Sequence, residues 1–136
     1  MDYILLFQIF LISFLLNLVW EVNHSALYKT CYELTFKKCM RLLTVMSIKD
    51  GFWISLFYTI TVFVFDSANP ILNIAQFVLF IIISLGFSFI DEKISIKKER
   101  WKYTEEMPII FGVGVSPFLE LAVTGAIAFF IVFYIF

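Results

Sequence analysis

The segment ILNIAQFVLFIIISLGFSFI, residues 71–90, is a run of 20 residues that contains no charged side chain. A helix of this length is about 30 Å long, which matches the hydrocarbon core of a bilayer. The whole chain suits a membrane, because 62% of its 136 residues are apolar and 15% are charged. Soluble domains are roughly 45–50% apolar. We therefore predict that this segment is a membrane-spanning helix.

Three further apolar runs accompany it, at residues 3–20, 52–65 and 107–136. Together the four runs predict an all-α polytopic membrane protein, in which four transmembrane helices form a bundle within a single integral membrane domain. The first run has no basic segment before it and no small-residue cleavage site after it, so we interpret it as a retained span. The predicted spans are about 3–22, 51–68, 70–90 and 117–136, joined by connections at about 23–50 and 91–116.

Basic residues are confined to two of the connections. All ten Lys and Arg residues lie between spans one and two or between spans three and four, and the turn DSANP, residues 66–70, has none. Under the positive-inside rule both basic connections face the cytoplasm and both termini lie outside. We expect an integral protein of a bacterial cytoplasmic membrane with this orientation. In the turn, Asn69 is expected to cap the third span and Pro70 to begin it.

The last apolar run contains a break. A helix that began at Met107 would have 30 residues and a length of about 45 Å, whereas one that begins at Pro117 has 20. Ser116 would then be the N-cap, and Gly112 and Gly114 would let the preceding segment turn as an interfacial or re-entrant piece. The alternative is one long, kinked helix. We predict the break.

A polar stripe runs along the first span. Its members are spaced by 4, 4, 3 and 4 residues, which places them on one helical face. They are Ser13, Asn17, Glu21, His24 and Tyr28. Polar groups on a membrane helix normally face the bundle interior or water. We therefore expect this stripe to point into the bundle.

Several carboxylates are expected at the cytoplasmic end of the stripe. Asp91 and Glu92 end the third span, and Glu120 lies one turn inside the fourth. We predict that these three converge with Glu21 and His24. The structural alternative is that they are solvated charges at helix ends, with the amide and hydroxyl groups of the stripe forming hydrogen bonds between helices.

The predicted site follows from this convergence. Glu120 is the candidate general acid, and Glu21 with His24 is the candidate base or orienting pair. Further residues are predicted to line the site: Asn17, Tyr28, Asp91, Glu92, Trp101, Tyr103, Gly112, Gly114 and Pro117. Trp101 and Tyr103 could alternatively anchor the membrane interface.

Metal ligation receives little support from the sequence. Glu21 and His24 have the Glu-x-x-His spacing of di-iron bundles, but such sites need two of these motifs and the chain has one histidine. Cys31 and Cys39 form no CxxC pair, and in a cytoplasmic connection we expect them to be reduced. We predict no metal, no cofactor and no nucleic-acid partner. The expected partners are membrane lipids, and a second membrane protein or a second copy of this chain.

Two segments carry a resemblance to known proteins. RWKYTEEMPIIFGVGVSPFLEL, residues 100–121, and WEVNHSALY, residues 20–28, resemble uncharacterised short bacterial four-span membrane proteins. More distantly, an aromatic-polar loop, a glycine turn and Pro-x-x-Glu at the start of a helix are similar to small membrane carotenoid (lycopene) cyclases. That resemblance implies that Glu120 is a proton donor toward an apolar isoprenoid.

Three functions remain open on the sequence. The first is an enzyme, or enzyme subunit, that acts on a lipid or isoprenoid by carboxylate acid–base chemistry at the cytoplasmic interface. The second is a non-catalytic binding or assembly subunit whose acids hold membrane helices together. The third is a small proton-coupled carrier.

Overall fold

The computed structural model describes residues 2–136, and over this range the chain forms five α-helices and one β-hairpin. Their order is α1 (Tyr3–His24), α2 (Lys29–Glu33), α3 (Phe36–Phe65), α4 (Ile74–Lys97), β1 (Ile109–Ile110), β2 (Val113–Gly114) and α5 (Val115–Tyr134), with a 3₁₀ turn at Ser25–Leu27. Among these described residues, four helices (α1, α3, α4 and α5) are long and apolar enough to cross a membrane. The prediction of an all-α chain with four candidate spans is confirmed.

Helix α3 is longer than the predicted second span. It has 30 residues and begins at Phe36, so the later part of the predicted connection 23–50 is helical. Thr35 caps this helix by accepting a hydrogen bond from the backbone N–H of Lys38. The helix therefore begins 15 residues before the predicted start of the span at residue 51. Residues 36–50 of the predicted connection form the first half of α3.

The cap of α4 also differs from the prediction. The helix begins at Ile74, and its N-cap is Asn73, whose side chain accepts a hydrogen bond from Gln76 N at 3.3 Å. Asn69 instead closes the turn before the helix, where its Oδ1 accepts from Ile71 N at 3.0 Å. Both asparagines suit a cap chemically, so the geometry of the longer turn decides between them.

The predicted break before the last helix is present as a tight β-hairpin. Phe111 and Gly112 form its two-residue turn with φ of 50° and 81°, as in a type I′ turn. Helix α5 begins at Val115 with Gly114 as its N-cap, two residues before the predicted start at Pro117. Ser116 is therefore not the cap, and its hydroxyl accepts a hydrogen bond from the indole of Trp20 at 3.2 Å.

The four long helices enclose an apolar core. Its buried members are Ile9, Ile54, Phe57, Tyr58, Phe80, Leu121, Phe129 and Val132. Helices α1 and α3 approach closely at Gly51, where an added Cβ would lie 3.2 Å from both Phe10 O and Phe14 N. An added methyl group would have to displace these backbone atoms by a few tenths of an ångström, so glycine permits the close approach. The close packing brings the residue beside it, Asp50, into the interior.

The two basic connections meet at one end of the bundle. Lys29 N donates to Lys102 O at 2.8 Å, and Thr104 N donates to Leu27 O at 2.9 Å. These bonds flank an antiparallel bridge between Tyr28 and Tyr103. The loop after α4 therefore covers the end of the bundle at which the site was predicted.

The two cysteines are bonded to each other. The turn between α2 and α3 brings Cys31 and Cys39 to a Cα–Cα distance of 5.3 Å, and they form a disulfide. The expectation that they are reduced is wrong for this structure. A spacing of eight residues does not predict the pair, because only the reversal of the chain between the two helices brings them together.

Candidate functional site

Three carboxyl groups from three helices meet inside the bundle. They belong to Glu21 of α1, Asp50 of α3 and Glu120 of α5, and one oxygen from each lies within 4.8 Å of the others. The three residues are only 6%, 7% and 5% exposed, respectively. We call this group the carboxylate cluster.

The cluster faces a small cavity of about 50 Å³. A void of this size holds a few water molecules or an ion with waters, since one water needs at least about 10–15 Å³ of such volume. Apolar side chains form part of its wall, namely Leu42, Leu43, Met46, Phe87, Pro117 and Leu121. The cavity therefore places acidic oxygens opposite apolar groups.

Glu92 of α4 is a fourth buried carboxylate on the same cavity, and it is held by two donors from the covering loop. Trp101 Nε1 donates to Glu92 Oε1 at 2.6 Å, and the Tyr103 hydroxyl donates to the same oxygen at 2.8 Å. Tyr103 in turn accepts from Gly114 N at 3.0 Å. The loop, the hairpin and α4 are thus joined through one carboxylate.

The two tyrosines of the connections keep their protons near neutral pH. Burial raises the pKa of Tyr103, and the neighbouring charge of Glu92 raises it further. Burial likewise raises the pKa of Tyr28 well above its usual range, and the negative charges of Glu21, Glu92 and Glu120 add to that effect. Tyr103 therefore remains a hydrogen-bond donor to Glu92.

Lys49, the residue before Asp50, forms an ion pair with Asp91. Lys49 Nζ lies 3.1 Å from Asp91 Oδ2, in a partly exposed ion pair at the edge of the cavity. This pair neutralises Asp91. Within residues 2–136, no salt bridge joins a member of the carboxylate cluster to a cation.

Two polar atoms on the cavity residues have no hydrogen-bond partner anywhere in residues 2–136. They are Glu120 Oε1 and Ser88 Oγ, and both side chains are 5% exposed. Buried polar groups are nearly always paired, so each unpaired atom calls for a physical explanation. Both atoms belong to residues that line the same cavity.

Asn17 supports the cluster from one turn away. Its Nδ2 donates to Ser13 O at 2.7 Å, and its Oδ1 lies 3.1 Å from the hydroxyl of Thr124. That hydroxyl is also 2.7 Å from the carbonyl of Glu120. These contacts couple α1 to α5 beside Glu120, as expected of polar groups within a membrane bundle.

The structure brings most of the predicted site residues together. The cavity is lined by Glu21, Tyr28, Asp91, Glu92, Trp101, Pro117 and Glu120. Tyr103 and Gly114 adjoin it through Glu92. Gly112 lies in the hairpin turn, where a Cβ would meet Lys93 Nζ, and it does not line the cavity.

His24 does not join the cluster. Its Nδ1 lies 2.8 Å from the carbonyl oxygen of Trp20, and its ring stacks on the indole of that residue at 4.6 Å. It does not line the cavity. Helix α1 ends at His24, so the helical spacing of the stripe is interrupted there, and Tyr28 reaches the cavity from beyond the 3₁₀ turn. The predicted Glu21–His24 pair is therefore not formed by this geometry.

Asp50 is the cluster member that the sequence analysis missed. It was placed at the end of a connection, because the apolar run begins only at Phe52. A helical signal was nevertheless present: Leu43, Ser47, Asp50 and Ile54 are spaced by 4, 3 and 4 residues and are all buried. That spacing marks one face of a helix that extends to both sides of Asp50.

Comparison with known proteins identifies no relative of this chain. The chain matches no protein-family model, no curated protein and no solved structure.

Proposed function

We propose that this chain is a small membrane-embedded enzyme that transfers protons to and from the reactive end of a lipid, with an isoprenoid as the substrate class. The observation that carries the proposal is the unpaired, buried Oε1 of Glu120 beside two further carboxyl groups in a cavity with an apolar wall. Intramembrane acids with this placement mark functional sites by default.

The chemistry needs one protonated and one ionised carboxyl group. Three buried carboxyl groups this close together cannot all be ionised without a compensating proton or cation. Glu120 would give its proton to one carbon of a double bond, and Glu21 or Asp50 would take a proton from a neighbouring carbon. The net result is a shifted double bond or a closed ring, and no oxidant or reductant is needed.

Asp50 takes the role that the sequence suggested for His24. Its carboxyl oxygen lies within 4.8 Å of those of both glutamates, whereas His24 contacts Trp20. Glu92, held by Trp101 and Tyr103, would hold the covering loop closed over the reacting groups. Exclusion of water protects a cationic intermediate from hydrolysis.

The size of the cavity restricts what enters it. Pockets that enclose a small organic ligand have about 300–1,000 Å³, whereas this cavity has about 50 Å³. Only the reacting end of a substrate would therefore enter, while its chain lies along the apolar outer faces of the helices. With the basic connections in the cytoplasm, this end of the bundle is the cytoplasmic one.

The test is mass spectrometry, with an absorption spectrum, of the lipids that copurify with the full chain in mild detergent. Wild type, Glu120→Gln and Glu21→Gln are compared with Glu105→Gln, an exposed acid outside the cavity. We expect a specific isoprenoid or other rare lipid whose amount or chemical form changes in the two cavity variants alone. Identical bulk phospholipid in all four samples would exclude the enzyme, and loss of an oligomer in Glu120→Gln would instead support an assembly subunit.

A further inference from the structure

We infer that Glu21, Asp50 and Glu120 bind one divalent cation of the class that prefers oxygen ligands, namely Mg²⁺, Mn²⁺ or Ca²⁺. This inference goes beyond the proposed function, because the cation site stands on the geometry of the cluster whether or not the chain acts on a lipid. The cation binds when all three carboxyl groups are ionised, so the cation and the proton that Glu120 would donate occupy the cluster in turn.

The oxygen positions suit such an ion without movement of the helices. Ca²⁺ binds oxygen at about 2.3–2.6 Å and Mg²⁺ at about 2.0–2.1 Å, so any two ligands of one ion lie at most about 4–5 Å apart. The three carboxyl oxygens lie within 4.8 Å of one another. Small rotations of the side chains would place all three on one ion.

The charge of the cavity calls for a cation. Glu92 adds a fourth carboxylate to the three of the cluster, and the adjacent Lys49 already forms an ion pair with Asp91. Buried carboxylates require a partner of opposite charge or a proton. A divalent cation supplies two positive charges at the point where the three groups meet.

An independent observation comes from α4, the one long helix that contributes no carboxylate to the cluster. Ser88 of α4 lines the same cavity and is 95% buried, since its exposure is 5%, and its Oγ finds no partner within the described chain. A hydroxyl oxygen can bind a hard cation directly or through a water. With Ser88, oxygen donors come from α1, α3, α4 and α5 alike.

The remaining donors select the class of metal. Zn²⁺ and copper favour imidazole and thiolate ligands. The single histidine contacts Trp20, and the two cysteines are joined in a disulfide. All the available donors are therefore oxygens, and the cavity of about 50 Å³ leaves room for the waters that Mg²⁺ usually retains.

The experiment is a titration of the chelator-stripped full chain, in detergent, with Mn²⁺ followed by electron paramagnetic resonance. We expect one Mn²⁺ per chain, displaced by Mg²⁺ or Ca²⁺. Asp50→Asn and Glu120→Gln should weaken binding at least tenfold and Ser88→Ala a few-fold, while Glu105→Gln binds as wild type does. Failure of wild type to bind Mn²⁺ at millimolar concentration, or equal binding by the cavity variants, would overturn the inference.

Thermal unfolding of the same samples separates loss of the site from loss of the fold. Mn²⁺ should raise the Tm of wild type and of Glu105→Gln but not that of Glu120→Gln. Without the cation, Glu120→Gln should melt no lower than wild type, because the substitution removes a buried charge. If Asp50→Asn does not fold, Glu120→Gln and Ser88→Ala decide the outcome. The Mn²⁺ titration contains no lipid substrate. A negative result in the lipid experiment would therefore exclude the proposed enzyme without excluding the cation site.

Discussion

The indole nitrogen of Trp101 lies 2.6 Å from Oε1 of Glu92, so a residue of the covering loop donates directly to a carboxylate of α4. Glu92 is 3% exposed and receives a second hydrogen bond from Tyr103. Two donors on one buried oxygen explain how a loop without regular secondary structure is held over the cavity. Charge-assisted hydrogen bonds of this kind are stronger than neutral ones.

Trp101→Phe should destabilise the protein by about 1–3 kcal/mol, because it removes a donor from a buried charged acceptor. The measurement is the free energy of unfolding in detergent. The matched control is Trp101→Phe introduced into the Glu92→Gln variant. There the loss of unfolding free energy should be smaller than in wild type, because residue 92 no longer carries a charge that needs the donor. Equal losses in both backgrounds would show that the hydrogen bond contributes nothing beyond packing.

Gly51→Ala should lower the free energy of unfolding by about 1–3 kcal/mol, the usual cost of inserting atoms into a packed contact. The added Cβ would lie 3.2 Å from backbone atoms of Phe10 and Phe14, which cannot rotate away. Gly86→Ala in α4 is the matched control, since a Cβ there meets nothing within 4 Å. It should be neutral or stabilising by up to about 1 kcal/mol. A loss of equal size at both glycines would argue against close α1–α3 packing.

We expect the free energy of unfolding to fall at alkaline pH because of Tyr103. Its pKa is raised by burial and by Glu92, so the folded state holds the phenolic proton more tightly than the unfolded state does. This contribution is complete below the unfolded pKa of about 10 and is lost as the pH rises toward the folded value. The slope of unfolding free energy above pH ~10 should be reduced in Tyr103→Phe. Tyr3→Phe, which removes an exposed phenol, is the matched control.

The orientation of the chain can be tested with reporter fusions. The basic residues predict that both termini lie outside, so alkaline phosphatase fused after Phe136 should be active and green fluorescent protein should be dark. The disulfide between Cys31 and Cys39 lies within the first basic connection, and disulfides persist mainly in oxidising compartments. The opposite reporter result would place these connections, with the disulfide, outside the cytoplasm.

Much of the architecture could be predicted because it is local along the chain. The length of an apolar run determines whether a helix can cross a bilayer, and the spacing of Ser13, Asn17 and Glu21 determines that they share a face. All three are buried in α1. The break before α5 could also be predicted from the sequence, because Gly112 and Gly114 interrupt an apolar run that is too long for one span.

The membership of the carboxylate cluster was decided by the tertiary structure. Asp50 joins it because the close contact at Gly51 turns that face of α3 toward α1. His24 is excluded because α1 ends there and the ring stacks on Trp20. Sequence determined the helices and the inward face of α1, since apolar length and period are properties of a single segment. Which acids meet depends on how separate helices pack, and that contact is specified by no segment alone.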